Sequence, residues 1–253
     1  MSKFKHYIKC IYYNVHRMLL HSFCKLYSKP LEINKMKKVL IISPHPDDEV
    51  FGCAHLMHKL IQEKKEIDII ILSKGEAAHK ECCPRDVYDV ISHRKHLTIN
   101  ANKLIGIPKE RIYFLDFPDG EFDSIINNIN YHKKLDELIK YINPDCIFYP
   151  HPFECSPDHE AATKIINDIL HNSNKKLFLY CVWVWYHMPI YKISQMNFRH
   201  SFYITSSKGN IKEQAINIYI NNKARCGISY SGNLPKYFLK AFQWKKELFF
   251  TAN

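Results

Sequence analysis

Short apolar runs alternate with stretches of helical spacing through the middle of the chain. The first run, at residues 39–42, is four consecutive aliphatic residues, which is typical of a strand buried on both faces of a parallel sheet. Comparable β-rich runs follow at residues 67–72, 111–115, 146–149 and 177–185. Helical spacing fills the intervals near residues 52–64, 91–105, 131–142 and 158–171. The alternation predicts an α/β fold, a Rossmann-like three-layer sandwich with a mostly parallel sheet.

The C-terminal part of the chain follows a different pattern. One further strand is predicted at residues 202–205, and helices are predicted near residues 209–222 and 235–249. Residues 227–235 contain glycine and proline and are predicted to form a loop. No internal repeat is visible, so the length suits one α/β domain with additions.

The N-terminal segment has a helical pattern of its own. Apolar positions within residues 4–26 recur mostly at spacings of three and four, which predicts an amphipathic helix. Pro30 breaks the pattern, and Lys37 and Lys38 then lead into the first apolar run. We therefore divide the chain into a basic amphipathic extension at residues 1–36 and an α/β domain at residues 37–253.

Most of the formal net charge of +11 lies in residues 1–38, which carry nine Lys or Arg and a single acid, Glu32. Basic amphipathic helices bind anionic headgroups, and we favour peripheral contact of residues 1–30 with an anionic membrane. The alternative is that the apolar stripe docks on the domain. The rest of the chain is nearly balanced in charge and has no recognisable nucleic-acid module, so no nucleic-acid partner is expected.

The sequence also bears on the compartment. The longest apolar stretch, residues 177–186, is far shorter than the ~18 residues of a membrane span. Charged residues interrupt the N-terminal helix and no cleavage site follows it, so we expect a cytoplasmic protein, peripheral on the inner face of the membrane if the helix binds there. The nine cysteines form no C-x-x-C pair, which favours reduced thiols over a structural zinc site or a redox motif.

Two polar segments directly follow strands, at residues 43–49 and 150–159. The carboxyl ends of parallel strands lie at one edge of a sheet, so these segments are expected to converge. His45, Asp48 and His159 then supply the nitrogen and oxygen ligands of a catalytic zinc with an open position for water. Asp47 remains free as a general base. The alternative is that the aspartates only cap the helices that follow.

These residues also carry a resemblance to a known family. His45-Pro46-Asp47-Asp48-Glu49, together with Pro157-Asp158-His159, resembles the PIG-L/LmbE deacetylases. Further similarities extend over most of residues 38–250, namely Gly75-Glu76, Arg94, Leu104-Ile105-Gly106 and Phe117-Pro118-Asp119-Gly120. The resemblance implies a PIG-L/LmbE-like domain that removes an acyl group, usually acetyl, from the nitrogen of an amino sugar with the help of zinc.

Residue roles follow from the resemblance by position. It implies that His45, Asp48 and His159 bind zinc, or another divalent metal, and that Asp47 is the base; it also implies that Arg94 and Asp119 face the sugar. Without the resemblance, Arg94 would suit a solvated helix face and Asp119-Gly120 a plain turn.

The sequence departs from the family pattern at two positions. Leu97 replaces a frequent glutamate, and Ser156 replaces a histidine that helps to stabilise the tetrahedral intermediate. We predict His151 as the substitute, directed inward by the prolines around it; the alternative is that it faces solvent. His187, at the end of the fifth apolar run, either reaches the same edge or packs in the core, and we favour the core.

The predicted function is therefore a zinc-dependent hydrolase that removes an N-acetyl group from an amino sugar or its lipid-, nucleotide- or thiol-linked conjugate. One alternative is an amidase of a thiol conjugate or another small N-acyl compound. A second is a zinc-binding protein without hydrolytic activity, as Leu97 and Ser156 would allow. Asp47 argues against the second, since a purely structural site has no use for a free base beside the metal.

Overall fold

Eight strands form one sheet in the computed structural model, which describes residues 3–206 and 209–252. The strands are β1 (Lys29–Pro30), β2 (Lys38–Ser43), β3 (Glu66–Ser73), β4 (Ile112–Phe117), β5 (Cys146–Pro150), β6 (Lys176–Tyr180), β7 (Ser201–Thr205) and β8 (Lys246–Thr251). Their order across the sheet is β1-β7-β8-β6-β5-β2-β3-β4. All neighbours are parallel except that β8 is antiparallel to both β6 and β7. The predicted, mostly parallel sheet is confirmed.

Helices cover both faces of the sheet. They are α1 (Lys3–Tyr27), α2 (Asp48–Gln62), α3 (Val87–Ile105), α4 (Ile129–Ile142), α5 (Pro157–Leu170), α6 (Ile211–Asn221) and α7 (Lys236–Ala241). One core cluster contains side chains of α2, α3 and α6, and the other contains side chains of α1, α4 and α5. The molecule is therefore the three-layer sandwich expected from the sequence, with the N-terminal helix present.

The first apolar run shows why the sequence specifies such a sheet. Val39 and Ile41 belong to one core cluster, whereas Leu40 and Ile42 belong to the other, and all four are fully buried. Successive residues of a strand point to opposite faces, so a strand with helices on both sides must be apolar at every position.

Strand β2 has a special position in the sheet. It lies between β3 and β5, so the chain leaves β2 toward one side of the sheet and returns later on the other. At such a switch point the connections diverge and leave a crevice outside the carboxyl ends of the two central strands. The segments that follow β2 and β5 both open into this crevice.

The predicted helix at residues 235–249 is wrong over its second half. Helix α7 ends at Ala241, and Lys246–Thr251 form strand β8 between β6 and β7. Phe249 packs on one face of the sheet and Leu248 and Phe250 on the other. The alternating burial of a strand between two neighbours overrides the helical spacing.

The fifth predicted strand also ends early, at Tyr180 rather than at residue 185. Beyond it, the buried carboxylate of Glu154 accepts hydrogen bonds from the backbone N–H groups of Val182 and Trp183. Because these N–H groups are bonded to Glu154, they cannot pair with a neighbouring strand. Trp183–Trp185 form a 3₁₀ turn instead.

Helix α1 docks on the domain through one side. Leu20 and Cys24 are fully buried, and the ring of Tyr13 stacks on Tyr186 with the ring centroids 4.6 Å apart. Its opposite side leaves apolar residues such as Ile8 and Met18 exposed. Helix α1 thus docks on the domain and also keeps an exposed apolar face. Contact of that face with a membrane stays a prediction. The boundary between an extension at residues 1–36 and a domain at residues 37–253 also stays a prediction. Among the described residues, no helix has the length and apolar character to cross a membrane.

Candidate active site

The turn after β2 is held in an unusual backbone conformation. Asp47 has a φ of 120° and occupies the N-cap position of α2, yet its side chain makes no capping hydrogen bond. A non-glycine residue in this region costs on the order of 1–3 kcal/mol and persists only where its surroundings impose it. The geometry does not support the alternative that Asp47 is only a helix cap.

A buried carboxylate, Glu49, imposes this conformation. Its Oε2 accepts the backbone N–H of Asp47 at 3.0 Å. Its Oε1 accepts hydrogen bonds from the Asn102 amide at 2.9 Å and the Tyr219 hydroxyl at 2.7 Å. Because Asn102 lies on α3 and Tyr219 on α6, the turn is fixed to the helical layer behind it.

The three predicted metal ligands converge. Oδ2 of Asp48 lies 3.1 Å from Nδ1 of His45 and 3.1 Å from Nε2 of His159. One donor atom from each residue lies within 4.8 Å of the others. His45 and Asp48 follow β2, and His159 lies in the first turn of α5, after β5, so the switch point brings them together.

His159 provides the test of whether these residues fit a metal. It is fully buried, and within the described residues its ring nitrogens make no well-aligned hydrogen bond, although Nε2 lies 3.1 Å from Oδ2 of Asp48. Such an orphaned imidazole is costly unless another group engages it. Nε2 faces Asp48, so a divalent cation between His159, Asp48 and His45 would satisfy it. The donor set, two imidazoles and one carboxylate, suits a catalytic zinc site.

Two further carboxylates support the histidines from behind. Asp158 Oδ2 lies 3.0 Å from Nε2 of His45 and also accepts the backbone N–H of Gly120 at 2.7 Å. Glu154 Oε2 lies 3.7 Å from Nδ1 of His159. Carboxylates in these places orient metal-binding histidines and fix their tautomers. Burial raises the pKa of Glu154 to about 7, while the nearby His159 opposes that shift.

The predicted base, Asp47, is held by Arg94. The guanidinium donates to Oδ2 of Asp47 at 3.2 Å and to the carbonyls of Pro46 and Gly75 at 2.6 and 2.8 Å. Arg94 is only 4% exposed, so the solvated-face alternative for it is wrong. Gly75 has a φ of 74°, and a Cβ there would lie 2.4 Å from the guanidinium carbon. Burial raises the pKa of Asp47 to about 7, against the opposing charge of Arg94.

Asp119 lies on the other side of His45. Its Oδ1 is 3.2 Å from Nε2 of His45 and accepts the hydroxyl of Ser73 at 2.8 Å. Its Oδ2 accepts the backbone N–H of Ala77 at 2.6 Å. The Asp119-Gly120 turn thus has a specific place in the site.

These groups open into a cavity of about 320 Å³. Its polar part includes His45, Asp47, Asp48, Arg94 and Asp119, and its apolar part includes Phe51, Trp183, Leu234 and Phe238. A few convergent polar groups beside an apolar wall are typical of a small-molecule site. Five of the predicted site residues therefore line one cavity, and His159 lies 3.1 Å from one of them, Asp48.

The predicted inward placement of His151 is wrong. Its Nδ1 accepts the backbone N–H of Phe153 at 3.0 Å, and its ring packs edge-to-face on Phe250. It lines a different cavity, with Asn167 and Thr251. The solvent-facing alternative is wrong too, because His151 is 5% exposed. Phe153 and Phe250 surround the ring with apolar atoms. The prolines near His151 in the sequence gave no indication of this environment.

His187, for which we favoured the core, instead lines the catalytic cavity together with Ser156. Its Nδ1 lies 3.2 Å from the carbonyl oxygen of Cys155, and its ring stacks on Trp183 with centroids 4.6 Å apart. The residue is exposed to solvent, yet desolvation by the surrounding atoms lowers its pKa, and the Cys155 carbonyl opposes this shift. His187 follows an apolar run that was predicted to be a strand. That position could have indicated that the residue reaches the cavity at the carboxyl edge of the sheet.

The chain is similar to two proteins that are named as deacetylases. It is 29% identical over 152 residues to a probable N-acetyl-α-D-glucosaminyl L-malate deacetylase of Bacillus subtilis, covering 54% of this chain and 62% of that protein. It is 26% identical over 132 residues to diacetylchitobiose deacetylase of Thermococcus kodakarensis, covering 51% and 47%. The matches thus span about half to three fifths of these curated relatives.

Similarity of fold extends further along the chain. An N,N′-diacetylchitobiose deacetylase of Pyrococcus horikoshii superposes with a TM-score of 0.58 over 96% of this chain and 84% of that one, at 18% identity. At this identity the likeness shows the fold alone.

The family comparison covers the site itself. The family model PIG-L, described as GlcNAc-PI de-N-acetylase, matches residues 40–170. This segment is more than half of the chain, and it contains all three converging ligands together with Asp47, Arg94 and Asp119. The chain belongs to the PIG-L family.

Proposed function

We propose that this protein is a zinc-dependent amide hydrolase that removes an N-acetyl group from an amino sugar or its conjugate. The observation that carries the proposal is the donor set of His45, Asp48 and His159 with the uncommitted carboxylate of Asp47 beside it. Two relatives named as deacetylases of N-acetylated sugar compounds support the substrate class.

The chemistry divides between the metal and the chain. His45, Asp48 and His159 would hold a zinc ion, which would supply Lewis-acid chemistry for the amide carbonyl and for the attacking water. Asp47 takes the proton of the attacking water as general base. Arg94 holds the Asp47 carboxylate, and Glu49 holds its backbone, so the base is oriented before the substrate binds.

Arg94 and Asp119 take different parts in this proposal. Three of the five N–H groups of Arg94 already donate to protein oxygens, one of them to Asp47, so its proposed role is chiefly to hold Asp47. Asp119 faces the cavity next to His45 and retains free lone pairs, which makes it the proposed acceptor for a sugar hydroxyl. The apolar wall that includes Trp183 and Phe238 suits the apolar face of a sugar ring.

The function is tested by mass spectrometry of candidate substrates after incubation with the zinc-loaded protein. Free N-acetylglucosamine is compared with its lipid-, nucleotide- and thiol-linked conjugates. Loss of an acetyl group from one class, with release of acetate, is the expected result. Metal binding without deacetylation of any of them would favour the zinc-binding protein without hydrolytic activity.

We further infer that His187 replaces the family-typical histidine at the position of Ser156. Both residues line the cavity, and Nδ1–H of His187 donates to the Cys155 carbonyl, so Nε2 is the nitrogen that donates to the oxyanion when the ring is protonated. His187→Ala is expected to lower the catalytic rate by ~10²-fold with metal content unchanged, the usual effect of losing one transition-state donor. Steady-state kinetics and elemental analysis measure the two quantities.

A matched variant at His151 tests whether the loss of rate is specific to His187 or follows from replacing any nearby histidine. His151→Asn keeps an acceptor near the position of Nδ1 for the Phe153 N–H and is expected to retain the full rate. Ser156→His should restore activity to the His187→Ala protein. A full rate in His187→Ala, or a slow His151→Asn, would reverse the assignment.

The exposed side of α1 is the proposed contact with an anionic membrane. Ile8 and Met18 are 50% and 58% exposed on that side. Replacing both with glutamate is expected to reduce sedimentation with phosphatidylserine vesicles, because burial of apolar surface and attraction to anionic lipid are both lost. The control places the same two charges at Tyr88 and Tyr141, which are exposed elsewhere. Equal sedimentation of the two variants would argue against the membrane contact.

A further inference from the structure

A second cluster of metal-binding side chains lies outside the catalytic set. It consists of His79, Cys82, Cys83 and Cys226, whose donor atoms all lie within 4.8 Å of one another. The first three belong to the connection between β3 and α3, and Cys226 belongs to the connection between α6 and α7. The sequence pattern did not indicate this cluster, since Cys82 and Cys226 are 144 residues apart.

The histidine of the cluster is oriented for metal binding. His79 is 2% exposed, and its Nε2 lies 2.9 Å from the carbonyl oxygen of Ser229. A carbonyl accepts only, so Nε2 carries the proton and Nδ1 carries the lone pair of the neutral imidazole. Nδ1 faces the thiols, at 3.3 Å from Sγ of Cys82 and 3.6 Å from Sγ of Cys226. A backbone carbonyl behind the distal nitrogen is the usual support of a metal-binding histidine.

The spacing of the donors matches a tetrahedral site. Zinc bonds of about 2.3 Å to sulfur and 2.0 Å to nitrogen place neighbouring sulfurs about 3.7 Å apart and nitrogen about 3.5 Å from sulfur. The observed separations of His79 Nδ1 from the sulfurs agree with this, as does the 3.8 Å between Cys82 and Cys83. The Cys82–Cys226 separation of 2.9 Å is shorter, and a small rotation of these two exposed side chains would open it.

Three thiols and an imidazole favour zinc over harder cations such as magnesium or calcium. A disulfide between Cys82 and Cys226 is the competing outcome, and it would need the sulfurs to approach to about 2.05 Å. That bond would leave the aligned Nδ1 of His79 and the buried Cys83 without a role, whereas a metal uses all four side chains.

We propose that His79, Cys82, Cys83 and Cys226 bind a structural zinc ion that joins two walls of the catalytic cavity. The β3–α3 connection contributes Ala77 and Ala78 to the cavity, and the α6–α7 connection contributes Ser231 and Leu234. The ion would link these two connections a few residues away from the cavity. All four coordination positions are filled by the chain, so this site is closed and does not itself bind substrate.

Cobalt substitution tests the proposal independently of the proposed hydrolytic function, because the catalytic set contains no thiol. Protein purified under reducing conditions is stripped with a chelator and reloaded with Co²⁺. We expect about two ions per chain, one per site, and a near-ultraviolet thiolate-to-cobalt charge-transfer band. The double variant Cys82→Ser/Cys226→Ser should bind about one ion and lose the band.

Two further variants keep the result interpretable. Cys10→Ser, which removes a cysteine from α1, should keep both the second ion and the band. Cys226→His should keep the second ion with a weaker band, since imidazole can replace thiolate in such a site. One ion per chain and no band in the unmodified protein would overturn the proposal, as would a Cys82–Cys226 disulfide found by mass spectrometry in protein prepared under reduction.

Discussion

Replacing Asp47 with asparagine is expected to leave the metal bound while lowering the catalytic rate by ~10²–10⁴, the range for loss of a general base. Asn is the appropriate substitute because it keeps the size and shape of the Asp47 side chain and removes the charge that makes it a base. The ligand atoms of His45, Asp48 and His159 are untouched. Metal content by elemental analysis and kcat on the identified substrate measure the outcome.

The control for this change is Asp116→Asn. Asp116 also has a positive φ, 60°, and its side chain is 54% exposed, away from the donor set. This variant should keep both metal and rate, which shows that the aspartate-to-asparagine change is harmless in a comparable backbone. A near-normal rate in Asp47→Asn would mean that another group takes the proton.

Replacing His159 with alanine is expected to abolish stable metal binding and, with it, hydrolysis. The substitution removes one of three protein ligands and leaves Asp48 and Glu154 as buried carboxylates without their histidine. Glu154→Gln should have a milder effect, a ~10–100-fold loss of metal affinity, because it removes only the support behind the ligand. Zinc titration against a competing chelator ranks the two variants.

His55→Ala is the matched control, since His55 is also a buried histidine but lies in α2 and lines a different cavity. It should bind zinc like the unmodified protein, and circular dichroism should show all three variants folded. Full zinc affinity in folded His159→Ala would remove that residue from the ligand set.

The convergence of the proposed ligands His45, Asp48 and His159 could be predicted because it follows from the topology of the sheet. Two short polar segments, each directly after an apolar strand, must meet at a switch point of a parallel sheet. His151 and His187 could not be placed in the same way. Each follows a strand by a few residues, and which of them enters the cavity depends on where the chain turns. Here Glu154 turns the chain after β6 and brings His187 to the cavity, and Phe250 of β8 covers His151.

Parts of the fold were also missed because they depend on contacts between residues that are far apart in the sequence. Strand β8 resembles a helix in local spacing and becomes a strand only because β6 and β7 leave a gap between them. Strand β1 has two residues and is defined solely by its pairing with β7. The cysteine cluster is a third case, because its members become neighbours only after two distant connections fold together.

The cavity is built both from regular elements of the fold and from the connections between them. Its ligands sit at the ends of central strands and in the first turns of α2 and α5, whereas much of its wall belongs to the β3–α3 and α6–α7 connections. Rigid elements hold reacting groups accurately, and surface connections tolerate change. Under the proposed function, grafting those two connections from a relative is therefore expected to change the preferred sugar conjugate while His45, Asp47, Asp48 and His159 stay in place, which makes the pair a natural unit for engineering specificity.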